Sequence, residues 1–256
     1  LPVLALLGEA QARVQVASPP GLPFLGVLEI HVQEVAARAL AQSFEQDGGR
    51  RLSISSGSTG QLYAQIVNGA PFDVFLAANA REPRRLEEAG LAVAGSRFTY
   101  ALGRLVLWSA EAGRFQGEEA VALLRDPEGP RVAMANPRTA PYGEAAQAVL
   151  RHLKLEDRLG NRLVRAQSVG QAFQFTATGN TGLGFVAYSQ VLARGGGGSV
   201  WGIPGAWYPP IAQQALRLKN AARGAQAFLD YLRRPEVRRR LEAEFGYGLP
   251  EDGPPR

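Results

Sequence analysis

Phe98-Thr-Tyr-Ala-Leu-Gly-Arg-Leu-Val-Leu-Trp-Ser109 decides how this chain folds. The run is β-like from end to end, yet it is about twice as long as an ordinary strand of five or six residues. One strand of a small sheet does not need that length. A strand that leaves one sheet and enters another does. Trp207-Tyr-Pro-Pro-Ile211 leads into a second such strand, Ala212 to Leu218, and reads as the return crossing. Two crossings make the first lobe discontinuous, with residues 13–99 and 211–256 in lobe 1, residues 100–210 in lobe 2, and a cleft between them.

Working outward, apolar β-rich runs alternate with helical patterns. Val32, Val35, Ala36, Ala39, Leu40 and Phe44 keep one helical face apolar. Short strands are expected at residues 52–55, 73–77, 131–135, 162–166, 182–188 and 212–218. Helices are expected at 61–67, 142–153, 169–178 and 221–233, the last stopping before Pro235. Strands separated by helices imply mainly parallel sheets flanked by helices, an α/β architecture. Four glycines at 195–198 read as a tolerated surface insertion.

Composition narrows the chemistry. The chain has 256 residues, 46% hydrophobic and 20% charged, enough for a sizeable core. The net charge of +5 is small, and the densest basic stretch, Arg233 to Arg240, is interleaved with Glu236 and followed by Glu242 and Glu244. That is a solvated helix face, not a nucleic-acid surface. With no cysteine there is no disulfide, thiolate nucleophile or thiolate metal ligand. With only His31 and His152, neither a histidine-rich metal site nor a Ser-His-Asp triad is easily built. Leu1 to Leu7 is apolar and Ala10-Gln-Ala12 resembles a small-x-small cleavage site, so residues 1–12 read like the tail of a secretory signal peptide.

Three helix starts carry the functional reading. Ser58-Thr-Gly-Gln61 and Ser168-Val-Gly-Gln171 are S-x-x-Q capping boxes, and Thr139-Ala-Pro-Tyr-Gly143 places proline at a first helical position. A helix start holds unpaired N–H donors and about half a positive charge, so it receives anions. None of the three has a basic residue between its cap and first turn. Neutral donors converging on one cleft make a site for a small dianion. Other candidates are weaker. Asp73 reads as a turn residue and Glu87-Glu88 as a solvated ion-pair face. Gly182-Leu-Gly184 enters a strand rather than a helix, and Trp201, Trp207 and Tyr208 fit a packed crossover.

Ser55-Ser-Gly-Ser-Thr-Gly-Gln-Leu-Tyr-Ala-Gln-Ile66 followed by Asn68-Gly-Ala-Pro-Phe-Asp-Val-Phe-Leu-Ala77 resembles the signature of periplasmic molybdate-binding proteins of ABC transporters. Ala135-Asn-Pro-Arg-Thr-Ala-Pro-Tyr-Gly143, Gly182-Leu-Gly-Phe-Val186 and Phe245-Gly-Tyr247 are similar to the same family, in the same order. The resemblance spans about residues 30 to 250. It implies a type II periplasmic-binding fold, two lobes closing on molybdate or tungstate, with no cofactor and no catalysis. By motif, Thr59 matches the ligating serine beside Ser58. Tyr142 and Val169 match the backbone-amide positions, so Thr59, Tyr142 and Val169 are the expected contacts to the metal oxyanion. Where some members add a tyrosine, this chain has Ala187, with Tyr188 one residue later. The implied partners are the small oxyanion and a membrane permease, for an exported, periplasmic, monomeric receptor that binds no nucleic acid. Sulfate or another oxyanion is the alternative ligand.

The N-terminal segment departs from that pattern. Arg13-Val-Gln-Val-Ala-Ser18 is expected as the first strand, followed by an extended Pro19-Pro-Gly-Leu-Pro23 loop before the helix resumes near Val32. Proline offers no N–H. Ser18 is then left to supply at most one hydroxyl, and a degenerate homologue with weakened binding is the corresponding expectation.

Overall fold

The structure, a computed structural model, describes residues 25–30, 34–57, 59–222 and 224–250. Within them the chain builds two five-stranded sheets. The first takes β1 (Leu25–Ile30), β2 (Leu52–Gly57), β3 (Val74–Ala77), β4 (Phe98–Gly103) and β10 (Ile211–Arg217), in the order β2-β1-β3-β10-β4. The second takes β5 (Leu105–Ser109), β6 (Val132–Ala135), β7 (Leu163–Ala166), β8 (Leu183–Ala187) and β9 (Ser199–Gly202), in the order β7-β6-β8-β5-β9. In each sheet four strands point the same way, and one, β10 in the first and β5 in the second, runs antiparallel to both its neighbours.

The strands are short, and the central ones are buried on both faces. β3, β6 and β8 have no exposed residue at all, the pattern of a sheet covered by helices on each side. Alternate residues of β3 part to opposite faces. Val74 and Leu76 pack with Leu40 and Phe44 of α1 (Glu34–Gln46), Phe228 and Leu232 of α8 (Ala225–Arg233), and Leu241 of α9 (Pro235–Phe245). Phe75 and Ala77 pack with Leu62 of α2 (Thr59–Val67) and Leu86 of α3 (Arg81–Glu88). The second sheet is treated likewise. Val132 and Met134 meet Leu124 of α4 (Glu119–Arg125) and Val149 and Leu150 of α5 (Pro141–His152), while Ala133 meets Ala172 of α6 (Val169–Ala177). Trp108 stacks on Phe173 at 4.9 Å, beside Val191 of α7 (Tyr188–Ala193).

The twelve-residue run does change sheets, and Arg104 alone separates β4 from β5. The crossing falls later than the expected 99/100 boundary. β4 keeps its ladder to β10 through the Ile211↔Gly103 pair, and Tyr100 and Ala101 belong to the core around α1, α8 and α9. The return runs from Gly202 through the 3-10 turn Gly205–Trp207 and Pro209-Pro210 to Ile211. Its aromatic residues pack as crossover residues. Trp207 stacks on His152 at 4.3 Å and meets Trp201 edge-on at 5.7 Å. The Leu105 N–H donates to the Tyr208 hydroxyl at 3.2 Å, tying the two crossings together.

Two expectations are corrected. The strand paired between β2 and β3 is Leu25–Ile30, within the segment expected to be an unpatterned loop. It lies in register with all six residues of β2, a pairing a parallel strand reaches only if it lies flat beside its neighbour. The segment Arg13 to Ser18 lies outside the described residues. The glycines at 195–198 are also more than a tolerated insertion. All four have positive φ, the Gly197 carbonyl accepts from Trp108 Nε1 at 3.0 Å, and a Cβ on Gly198 would stand 2.0 Å from the Ser109 carbonyl oxygen. They turn the chain sharply from α7 into edge strand β9.

Gly198→Ala is therefore expected to destabilise the protein by about 1–3 kcal/mol, combining strained φ with backbone overlap. Gly196→Ala, which meets nothing within 4 Å, carries only the φ penalty. Urea unfolding midpoints of the two variants check this. Equal midpoints would show that β9 tolerates the displacement.

Candidate functional site

In a parallel sheet all strands end at the same edge, and the helices that follow start there. Ile30 lies opposite Gly57, so β1 and β2 end level, and α2 begins at Thr59 above them. α3 begins at Arg81 just beyond β3 on the same edge. In the second sheet Ala135 lies opposite Ala166, so α5 and α6 also begin side by side. The Asn136 N–H donates to the Ala166 carbonyl at 2.7 Å, extending that edge by one bond.

The two edges face one another across a cleft of about 250 Å³. One wall is the turn from β3 into α3, residues 78–81. The other is the approach and first turn of α5, residues 137–141 with Glu144. The floor is the return crossing, residues 210–212. α5 reaches this position because Gly143 lets it press onto the end of β6: a Cβ there would stand 2.5 Å from the Ala135 carbonyl oxygen.

The expected residues fall as follows. Tyr142 is the second residue of α5, directly behind the cleft wall, and its N–H has no acceptor among the described residues. Val169 is the first residue of α6, and its N–H likewise has none. The capping box before it forms as read: Ser168 Oγ accepts from the Gln171 N–H at 3.1 Å, and Gln171 Oε1 accepts from the Gln167 N–H at 2.7 Å. Thr59 is the first residue of α2 and half-exposed. Thr59 and Val169 do not line the cleft itself; each stands one helix start further along its edge. Ser58 and Ser18 lie outside the described residues. Ala187 ends β8, and the Tyr188 N–H donates to the Arg104 carbonyl at 3.0 Å. A Cβ on Gly246 would lie 2.6 Å from the Tyr188 ring, so that ring packs toward the end of α9.

Four residues of the cleft were missed. Asn79 caps α3, its Oδ1 accepting from the N–H groups of Arg81 at 3.1 Å and Glu82 at 3.3 Å. Asn79-Ala-Arg-Glu82 is a capping pattern of the kind that marked the other starts. Arg81 and Arg138 line the cleft from opposite lobes, so its donors are not all neutral. Arg81 is held by two hydrogen bonds to Glu82 Oε1, whereas Arg138 has no ion-pair partner among the described residues. Glu144, in the first turn of α5, is exposed and lines the cleft. The cleft is therefore lined by exposed charges of both signs, with the Tyr142 amide behind one wall.

Burial raises the Tyr142 phenol well above its ordinary value of 10, and the nearby Tyr247 and Tyr208 hydroxyls raise it further. A folded value above the unfolded one means stability is intact below pH 10 and falls as pH climbs toward the folded value. Alkaline titration at 295 nm is expected to leave one tyrosine un-ionised until unfolding, and Tyr142→Phe is expected to remove that late step. An unchanged late step in the variant would assign it elsewhere.

Comparison with known proteins gives this geometry a family. Residues 34–248 match the family model of bacterial extracellular solute-binding proteins. The molybdate-binding protein ModA of Azotobacter vinelandii is 45% identical over 249 residues, 93% of this chain and 98% of that protein. ModA of Rhodobacter capsulatus is 45% identical over 214 residues, covering 83% of this chain and 82% of its own. The solved periplasmic molybdate-binding protein of Azotobacter vinelandii superposes with a TM-score of 0.80 at 42% identity, over 89% of this chain and 100% of that one. With a cleft between two α/β lobes and relatives matched over nearly their whole length, the chain belongs to the bacterial extracellular solute-binding protein family.

Proposed function

We propose that the cleft captures molybdate, or its congener tungstate, and that the protein is the exported, monomeric receptor that hands the anion to the membrane permease of an ABC importer. The observation that carries this reading is the pair of N–H groups at Tyr142 and Val169 that have no acceptor among the described residues, at adjacent helix starts on one edge, in a chain 45% identical to molybdate-binding proteins over most of its length. Main-chain donors at helix starts suit an oxyanion that carries no proton and needs no acceptor. In this reading residues 25–103 with 211–250 form one lobe and 105–202 the other. Rotation about the crossings brings Thr59 and Val169 against an anion first met at α5. Ser58, next to Thr59 in sequence, is a further candidate hydroxyl donor.

Weakened binding was expected from a proline-rich loop without donors after a first strand at Arg13 to Ser18; with Leu25–Ile30 paired between β2 and β3, Pro19-Pro20 does not follow that strand in the chain. Sulfate shares the charge and shape of molybdate and remains the competing ligand.

Titration calorimetry with molybdate, tungstate, sulfate and phosphate tests the reading. Molybdate and tungstate are expected to bind most tightly, and Thr59→Ala to cost about 1.5–3 kcal/mol, the range for a hydrogen bond to a charged group. Absence of heat with the two metal oxyanions, or a clear preference for phosphate, would sink it. The charged lip is expected to act on the rate of capture. Stopped-flow association at low salt should slow several-fold in Arg138→Ala and quicken in Glu144→Gln. Both differences should vanish at high salt, where the screening length falls to about 3 Å at 1 M. A salt-independent effect would mean that these side chains touch the bound anion directly.

A further inference from the structure

We propose that Tyr142 couples anion capture to the angle of the hinge: its main-chain N–H, in the first turn of α5, has no acceptor among the described residues, while its ring fills the slot between the two crossings. The inference rests on the anion-receptor reading and concerns the other end of the same residue.

The ring is 3% exposed and belongs to the second lobe's core, yet its tip reaches the first. A Cβ built on Gly103, the last residue of β4, would stand 2.4 Å from the Tyr142 hydroxyl oxygen, 2.9 Å from Cζ and 3.1 Å from Gln213 Nε2. The tip of the ring, the end of β4 and the start of β10 therefore crowd one point. Gln213 is buried, and its Nε2 donates to the Ile211 carbonyl at 3.0 Å, which holds it against the return crossing. Tyr208, on that crossing, and Tyr247, just past α9, are the hydroxyl groups that act electrostatically on Tyr142. The segment carrying Tyr247 is fixed to β4 in turn, Leu102 and Gly248 exchanging N–H···O bonds of 2.8 and 2.7 Å. One residue of α5 thus touches or faces the outgoing strand, the return crossing and the C-terminal segment.

A hinge turns by changing a few backbone torsions, and the side chains packed on it must move or block that change. α5 is a rigid helix, so a pull on the Tyr142 N–H moves the ring with it. An anion held at that N–H therefore acts on the wedge at the hinge. An N–H elsewhere on the edge, such as Val169, has no such connection. Gly103 is the position where this arrangement excludes any side chain.

The test combines calorimetry with small-angle scattering, using molybdate as the probe. Tyr142→Leu keeps the N–H and an apolar side chain but removes the aromatic wedge. It is expected to weaken molybdate at least tenfold and to lose the compaction seen in wild type at saturation. Thr59→Ala is expected to bind more weakly yet compact fully once saturated. Gly103→Ala should behave like Tyr142→Leu, and the double variant should be no worse than either single one, because both act on one contact. Where Tyr142→Leu is not folded by circular dichroism, Tyr142→Phe takes its place, with a partial loss of compaction expected from removal of the hydroxyl alone. Full compaction in the Tyr142 variant, or additive effects in the double variant, overturns the coupling while leaving the receptor reading intact. A wild type that gives no heat with molybdate overturns both.

Discussion

The end of β4 lies in register with the start of β10 at Gly103 and Ile211, and the Leu105 N–H is bonded to the Tyr208 hydroxyl one step further on. These contacts hold two chain crossings side by side, and the cleft depends on them. Two sheets joined by a single strand would swing freely. Joined by two adjacent strands, they are left with one principal axis of rotation. The edge of each sheet that carries helix starts is thereby kept facing the other.

That arrangement places the polar backbone where the fold most easily supplies it. The first N–H groups of a helix have no partner within the helix, and burying them without one is costly. Tyr142 and Val169 are themselves buried, and neither N–H has an acceptor among the described residues. A tetrahedral dianion satisfies such groups without introducing an opposing charge into the protein. Lysine or arginine in the walls would bind any anion; oriented amides demand a particular size and shape. The charged side chains Arg81, Arg138 and Glu144 line the cleft and are exposed, so solvent screens them.

Much of this was readable from residue pattern. The unbroken apolar runs at 74–77 and 132–135 announce doubly covered strands, because burial on both faces removes the polar alternation. Ser168 and Gln171 announce their helix because capping uses only neighbours in sequence. Pro141 does the same for α5. The length of the run from Phe98 to Ser109 announces a change of sheet. What these signals share is range: each is settled within a few residues.

The features the pattern did not yield are those settled by distant partners. The first strand was sought at Arg13 to Ser18, while the chain paired Leu25–Ile30 between β2 and β3, a choice made by register with strands some 25 to 50 residues away. The crossing point slid to Arg104 because β10, over a hundred residues later, holds β4 through Gly103. Nothing local marks Arg81, Arg138 and Glu144 as neighbours; only the packing brings them to one cleft. The sequence determined the two half-sheets, their helix starts and the donors those starts expose, because local hydrogen bonding and periodic burial are short-range. Only the tertiary structure decided which helix starts face one another, which charges line the cleft between them and where the chain crosses between sheets, because those depend on how segments far apart in the chain pack together.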